Sequence, residues 1–183
     1  MTVPTAARFT REEYLALPEA APGFRFELVD GELVTMNDPL PIHQDAAGAL
    51  YAELRAWCRA EPQRGRVVLP VDTELARDTI VGPDLQWFAA DRDLPPRTTR
   101  PWPVGDIVVE IASPSTSRYD ADVKLGRYLA AGAHEVWLVR TDPLGVRIVL
   151  AGEPPAGTTL DADGVLTSPL LPGFALPLSV LAE

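Results

Sequence analysis

Asp84 and Glu110 are the residues of this chain whose types and setting most invite chemistry. Asp84 follows Gly82-Pro83 and opens an apolar run over residues 85–89, and Glu110 stands near the end of a second run over 106–111. If these runs are strands that pair antiparallel, the start of the first lies beside the end of the second, and two carboxylates meet at one rim of a sheet. With the Ile111 backbone carbonyl and water, such a pair is an oxygen site suited to Mg2+ or Mn2+, hard cations that keep several waters for substrate phosphates. The plain alternative is that Asp84 caps the turn after Pro83 while Glu110 makes a surface ion pair. Glu110 weakens that alternative. A glutamate near the end of an otherwise apolar strand is expected to be partly buried, and a buried carboxylate without a cation nearby is costly.

Lys124 is the sole lysine in a chain with fifteen arginines. The two are not interchangeable, because lysine carries a compact ammonium whose pKa can be tuned and arginine a permanently charged planar fork. At roughly 100° per residue, Ala121, Leu125, Tyr128, Leu129 and Gly132 form the buried stripe of a helix over residues 119–131, and Lys124 falls about 85° from its centre. It borders the core, and its four-carbon stem can bring the ammonium over the strand ends near Glu110. The competing reading is a solvated flank lysine paired with Asp120, a common and energetically near-neutral arrangement.

Composition narrows the setting. At 183 residues the chain is expected to form one domain over 1–183. Its 46% hydrophobic and 23% charged residues are ordinary globular usage, which excludes wholesale disorder and a fibrous structure. No apolar run approaches the ~18 residues of a membrane span. Arg8, Arg11, Glu12 and Glu13 interrupt the stretch where a signal peptide needs apolar continuity, so a cytoplasmic protein without membrane association is expected. One cysteine, Cys58, and two histidines, His43 and His134, exclude an internal disulfide, zinc fingers and multi-histidine metal sites; any metal must be held mainly by oxygen. The net charge of −10 argues against a broad basic surface.

The elements that must position these groups follow from pattern. Thr10-Arg11-Glu12-Glu13 is a capping box opening a short helix to about residue 17. Residues 24–29 and 32–36 flank Asp30-Gly31, a hairpin signal because both central positions of such a turn need positive φ. Residues 43–60 repeat apolar side chains at helical spacing. Residues 67–70 and 72–75 read as one interrupted strand region, 85–89 as a further strand, and 91–103, with four prolines and three arginines, as an exposed loop. The run 106–111, the helix 119–131 and the apolar run 135–140 make a βαβ unit with parallel strands. Residues 146–150 continue the sheet, Asp163-Gly164 suggests a small hairpin, and 178–181 a terminal helical turn.

Several strings then occur in order: Phe26-Glu27-Leu28-Val29-Asp30-Gly31-Glu32, His43-Gln44 at a helix start, Gly82-Pro83-Asp84-Leu85, and Val109-Glu110-Ile111-Ala112-Ser113-Pro114-Ser115-Thr116. Asp120 and Lys124 ahead of Tyr128, Glu135-Val136-Trp137-Leu138-Val139 and Ser168-Pro169-Leu170-Leu171-Pro172-Gly173 complete the set. The whole resembles the Uma family of restriction endonucleases, a branch of the PD-(D/E)XK nuclease superfamily, over about residues 10–181. The resemblance implies an α/β (α+β) fold, a restriction-endonuclease-like mixed central sheet flanked by helices with an added N-terminal hairpin. It implies that Pro83-Asp84 supplies the first carboxylate and Glu110 the second. The superfamily pattern puts a lysine two positions after that glutamate, where this chain has Ala112. In the Uma branch that lysine has moved to the following helix, and Lys124 sits where it would be. Glu27 matches the branch's early glutamate and His43 its helix-opening histidine, with a capping or packing role for His43 equally open. Asp120 is a further accessory candidate.

These expectations add up to Mg2+- or Mn2+-dependent hydrolysis of phosphodiester bonds in nucleic acid, with DNA the expected substrate. Asp84, Glu110 and Ile111 would hold the ion. Lys124 would orient the attacking water or neutralise charge on the phosphate, and Glu27 would assist. Arg92, Arg97, Arg100 and Arg118 are candidate phosphate contacts, against the alternative that they only solvate the surface. A homodimer would serve to cut both strands of a duplex, although no residue requires one. Two other classes remain open: a binding or scaffold protein that keeps the fold without cleaving, and a hydrolase of another phosphate ester. The acidic charge favours both over a free-standing nuclease.

Overall fold

Thr10 caps the first helix, α1 (Arg11–Leu15), in the computed structural model, which describes residues 8–18, 20–112 and 118–182, the side chains of 118–122 excepted. The expected capping box is complete: the Glu13 amide donates to Thr10 Oγ1, and the Thr10 amide donates to the Glu13 carboxylate at 2.7 Å. The Tyr14 hydroxyl ties this helix to the first strand through the Phe26 carbonyl at 3.0 Å. Strands β1 (Phe24–Val29) and β2 (Glu32–Asn37) form the expected hairpin, with Asp30 and Gly31 at φ 51° and 78°. Helix α2 (Pro41–Ala60) starts on a proline, where the missing amide hydrogen costs nothing, and buries Ala46, Leu50, Leu54 and Cys58 along one side.

The region expected as one interrupted strand is two strands in different sheets. β3 (Arg66–Val68) is an edge of a six-stranded sheet, and β4 (Thr73–Ala76) lies in a five-stranded one, paired with β5 (Thr79–Val81), which the sequence reading does not contain. Pro70, without an amide donor, stands where the chain leaves one ladder for the other. Next come β6 (Leu85–Phe88), β7 (Trp102–Pro103), β8 (Ile107–Ala112), α3 (Arg118–Ala130), β9 (Glu135–Thr141) and β10 (Leu144–Leu150). After these follow β11 (Thr158–Asp161), β12 (Val165–Leu166), β13 (Leu176–Pro177) and a closing 3-10 turn, Leu178–Ala182. The loop read over 91–103 thus ends in a short strand, β7, parallel to β4. Asp163-Gly164 does not close a hairpin. The open edge of β10 takes up β11, and β12 pairs with β13, so the two arms of that turn have other partners.

The six-stranded sheet runs β11-β10-β9-β8-β6-β3 and the five-stranded sheet β2-β1-β5-β4-β7. β8 and β9 are parallel and joined through α3, the expected βαβ unit, while the other pairs of the larger sheet are antiparallel. Side-chain alternation along β8 and β9 sorts the core into two layers. Ile107, Val109, Ile111, Trp137 and Val139 meet α2 on one face, and Val108, Val136 and Leu138 meet Leu125 and Tyr128 of α3 on the other. Each layer buries apolar surface at roughly 25 cal/mol per Å², which fixes the strand ends against both helices.

Candidate active site

Val81 ends one sheet and Leu85 begins the other, so Gly82-Pro83-Asp84 spans the seam between them. Both ends of this tripeptide hold a site residue. The Gly82 amide donates to Glu27 Oε1 at 3.1 Å, which anchors the β1 glutamate to the seam. Asp84 Oδ2 accepts from the Ile111 amide at 2.8 Å and lies 3.0 Å from His43 Nε2. An ionised carboxylate only accepts, so Nε2 carries the His43 proton; Nδ1 is buried with no hydrogen-bond partner among the described residues.

Leu85 stands opposite Val109 in the antiparallel β6–β8 pair, and one further step of that register sets Asp84 beside Glu110. Glu110 points to the α3 face, where the Tyr128 hydroxyl donates to its Oε1. Lys124, one helical turn before Tyr128, puts Nζ 2.8 Å from Glu27 Oε2. The side chains of that pair are 12% and 1% exposed, so the ion pair is largely sheltered from water. One turn further along α3, Arg127 grips both carboxylate oxygens of Asp30, at 2.7 and 2.6 Å, and ties the hairpin to the helix a second time.

Burial, helped by Asp84 and Glu27, pushes the Glu110 carboxyl up to about 8 against the opposing effects of Lys124 and the Tyr128 hydrogen bond. Tyr128 is held well above its ordinary value by burial first and by Glu110 second, so it remains a donor. Glu110 thus faces two further acidic groups, Asp84 and Glu27, with one ammonium nearby, and ionising it in this confined space suits a cation. Among the described residues no group of three or more His, Cys, Asp or Glu is arranged to hold an ion by itself. Glu27 is taken up by Gly82 and Lys124. Asp84 Oδ1 and Glu110 Oε2, by contrast, carry no hydrogen bond among the described residues. The residues therefore fit an ion held by these two carboxylates and water, the sparse protein coordination that Mg2+ uses.

The loop arginines part company. Arg92 reaches Asp106 at 2.7 Å and the Val104 carbonyl at 3.0 Å, and Arg100 reaches Asp72 at 3.2 Å. Arg97 has no ion pair among the described residues and lines a separate cleft. The side chains of Arg118 and Asp120 lie outside the described residues. The donors that the sequence reading lacked are the Gly82 amide, the Ile111 amide and the Tyr128 hydroxyl. Only the last left a trace, as a buried polar tip on the α3 stripe opposite Glu110.

A family model described as "Uma2: Putative restriction endonuclease" matches residues 11–179. The chain belongs to the Uma2 family. Its fold also matches the crystal structure of a "putative nuclease belonging to DUF820 from Anabaena variabilis ATCC 29413", with a TM-score of 0.77 and 19% identity over 95% of this chain and 97% of that one. At that identity the likeness carries the architecture, and it bears out the mixed sheet flanked by helices. No curated protein matches the chain. The Uma2 description places the chain among nucleases of the restriction-endonuclease type. No helix of the described residues is long and apolar enough to cross a membrane.

Proposed function

We propose that this Uma2-family chain is a divalent-metal-dependent endonuclease that hydrolyses phosphodiester bonds in DNA, with Asp84, Glu110 and Lys124 at the reacting centre. The observation that carries the reading is the grouping of Glu110 with Asp84 and Glu27 beside the Lys124 ammonium that Glu27 engages, with an oxygen of Asp84 and another of Glu110 left without donors among the described residues. A bound divalent ion supplies Lewis-acid polarisation of the phosphodiester and a more acidic water.

The chain's own residues do the remaining work. The Ile111 amide and His43 fix the Asp84 carboxylate, and Tyr128 fixes that of Glu110, so neither has to reorganise when substrate arrives. Glu27, itself held by Gly82, keeps the Lys124 ammonium in place; from there it neutralises charge developing on the phosphate oxygens. Glu27 and His43 are positioning residues in this scheme.

Supercoiled plasmid and single-stranded DNA incubated with purified chain and Mg2+ or Mn2+ test the reading. Wild type is expected to cleave, EDTA to stop it, and Glu110→Ala to lower the rate on the order of a thousandfold, the several kcal/mol that metal-ion stabilisation is worth. Equal cleavage by wild type and Glu110→Ala, or none by wild type with either metal, overturns it.

A further inference from the structure

A cleft of about 560 Å³ opens between α2 and the free edge of β3. Tyr51, Arg55 and Arg59 line it from α2, Arg66 from β3, Arg97 from the loop after β6, and the buried Trp102 from β7. Positions 51, 55 and 59 repeat every fourth residue, so these side chains stack along one flank of the helix, about 6 Å apart. Among the described residues β3 pairs only with β6, which leaves the other side of this strand without a neighbour there. Among the described residues no aspartate or glutamate lines the cleft.

Five arginines outside the cleft are neutralised. Arg11, Arg64, Arg92, Arg100 and Arg127 each have a carboxylate within 3.2 Å. Arg55, Arg59, Arg66 and Arg97 have none among the described residues; Arg55 meets the Tyr51 hydroxyl and lies 5.5 Å from the centre of its ring. In a chain with net charge −10, four guanidinium groups without a carboxylate partner among the described residues, drawn from a helix, a strand edge and a loop, make a local positive field. A guanidinium fork is matched in geometry and charge by phosphate.

We infer that this cleft binds the phosphodiester backbone of a nucleic-acid strand, with Arg55, Arg59, Arg66 and Arg97 contacting its phosphates. The inference rests on the nuclease reading for its ligand and adds where that ligand is held. A polymer is favoured over a small anion by the placement of the row. α2 carries His43, beside Asp84, in its first turn, and the helix rises about 12 Å from there to Tyr51 and about 24 Å to Arg59. One strand can therefore span cleft and carboxylates. The arrangement also explains how an acidic chain attracts a polyanion: the contacts are few and local.

Fluorescence anisotropy with a labelled DNA oligonucleotide in EDTA, where cleavage cannot occur, reads this directly. The variant R55Q/R59Q/R66Q/R97Q is expected to bind at least about tenfold more weakly at 0.1 M salt, uniformly across sequences, with a salt slope shallower by about three to four. R55Q/R59Q alone, confined to the exposed flank of α2, is expected to lose about half of that slope, and the four-lysine variant to recover most of the affinity. R11Q, at an arginine outside the cleft that pairs with Glu74, is expected to bind as wild type does, which assigns the loss to the arginines of the cleft. Unchanged affinity and slope in both glutamine variants, while wild type still binds and cleaves, overturn the cleft and leave the nuclease standing. Competition by poly-glutamate as effective as that by DNA also overturns it, because the cleft then takes an acidic polypeptide.

Discussion

The carboxylate cluster at the β5–β6 seam and the arginine cleft beside β3 both draw on α2, yet they treat charge in opposite ways. In the cluster each acid is held by protein donors: Glu27 by Gly82 and Lys124, Asp84 by Ile111 and His43, Glu110 by Tyr128. In the cleft the guanidinium groups have no carboxylate among the described residues. Buried charge has to be compensated within the protein because desolvation is expensive, whereas charge at an open cleft remains hydrated until an anion arrives. A net charge of −10 therefore says little about where an anion binds.

The largest effect expected from this contrast is at Lys124. Lys124→Met leaves Glu27, 1% exposed, without its cation, and breaking such a buried pair costs about 3–5 kcal/mol in urea unfolding. Adding Glu27→Gln is expected to recover most of that stability without recovering cleavage. A loss below about 1 kcal/mol would place this pair with ordinary surface ion pairs.

The next effect is in pH. Burial, reinforced by Asp84 and Glu27, raises Glu110 to about 8, and a divalent ion needs the ionised form. Mn2+ affinity measured by calorimetry is thus expected to rise about fiftyfold from pH 6 to pH 8 and to level off above about pH 9, with a proton released on binding below pH 8. The sign for stability runs the other way. A carboxyl raised above its ordinary 4.5 contributes fully below that value and loses its contribution as pH rises through about 8, so the ion-free chain weakens over that interval and bound ion restores it. Arginines do not titrate here, so DNA binding in EDTA is expected to respond far less over pH 6–9.

Smaller changes follow at Tyr128 and Arg127. Tyr128→Phe removes the donor that orients Glu110 and is expected to weaken Mn2+ binding about tenfold by calorimetry. Arg127→Ala breaks the bidentate pair with Asp30, whose side chain is 59% exposed, and is expected to shift stability by no more than about 1 kcal/mol in the same unfolding assay. Its contrast with Lys124, one turn away on α3, isolates burial as the cause.

What the sequence reveals of this architecture depends on range. The hairpin at Asp30-Gly31, the capping box at Thr10 and the βαβ unit rest on local geometry and read off directly. The meeting of Asp84 and Glu110 was legible because two apolar strands fix their own register, and Lys124 because helical periodicity fixes its flank. The Glu27–Lys124 pair was not derivable from spacing, since Glu27 belongs to a different sheet and arrives through contacts 55 residues apart with Gly82. β5 escaped notice because Thr79–Val81 is three residues long behind an Arg77-Asp78 turn with no glycine. Arg92 and Arg100 read like free loop arginines because Asp106 and Asp72, which engage them, lie 14 and 28 residues away. The cleft was hidden for the same reason, being assembled from a helix, an edge strand and a loop.

The most direct test is anomalous diffraction from crystals soaked in Mn2+. A single strong peak bridging the Asp84 and Glu110 carboxylates, absent in Asp84→Asn crystals, is the expected result. Peaks only elsewhere, or none at saturating Mn2+ above pH 8, would contradict the claim that this seam is a metal-dependent reacting centre.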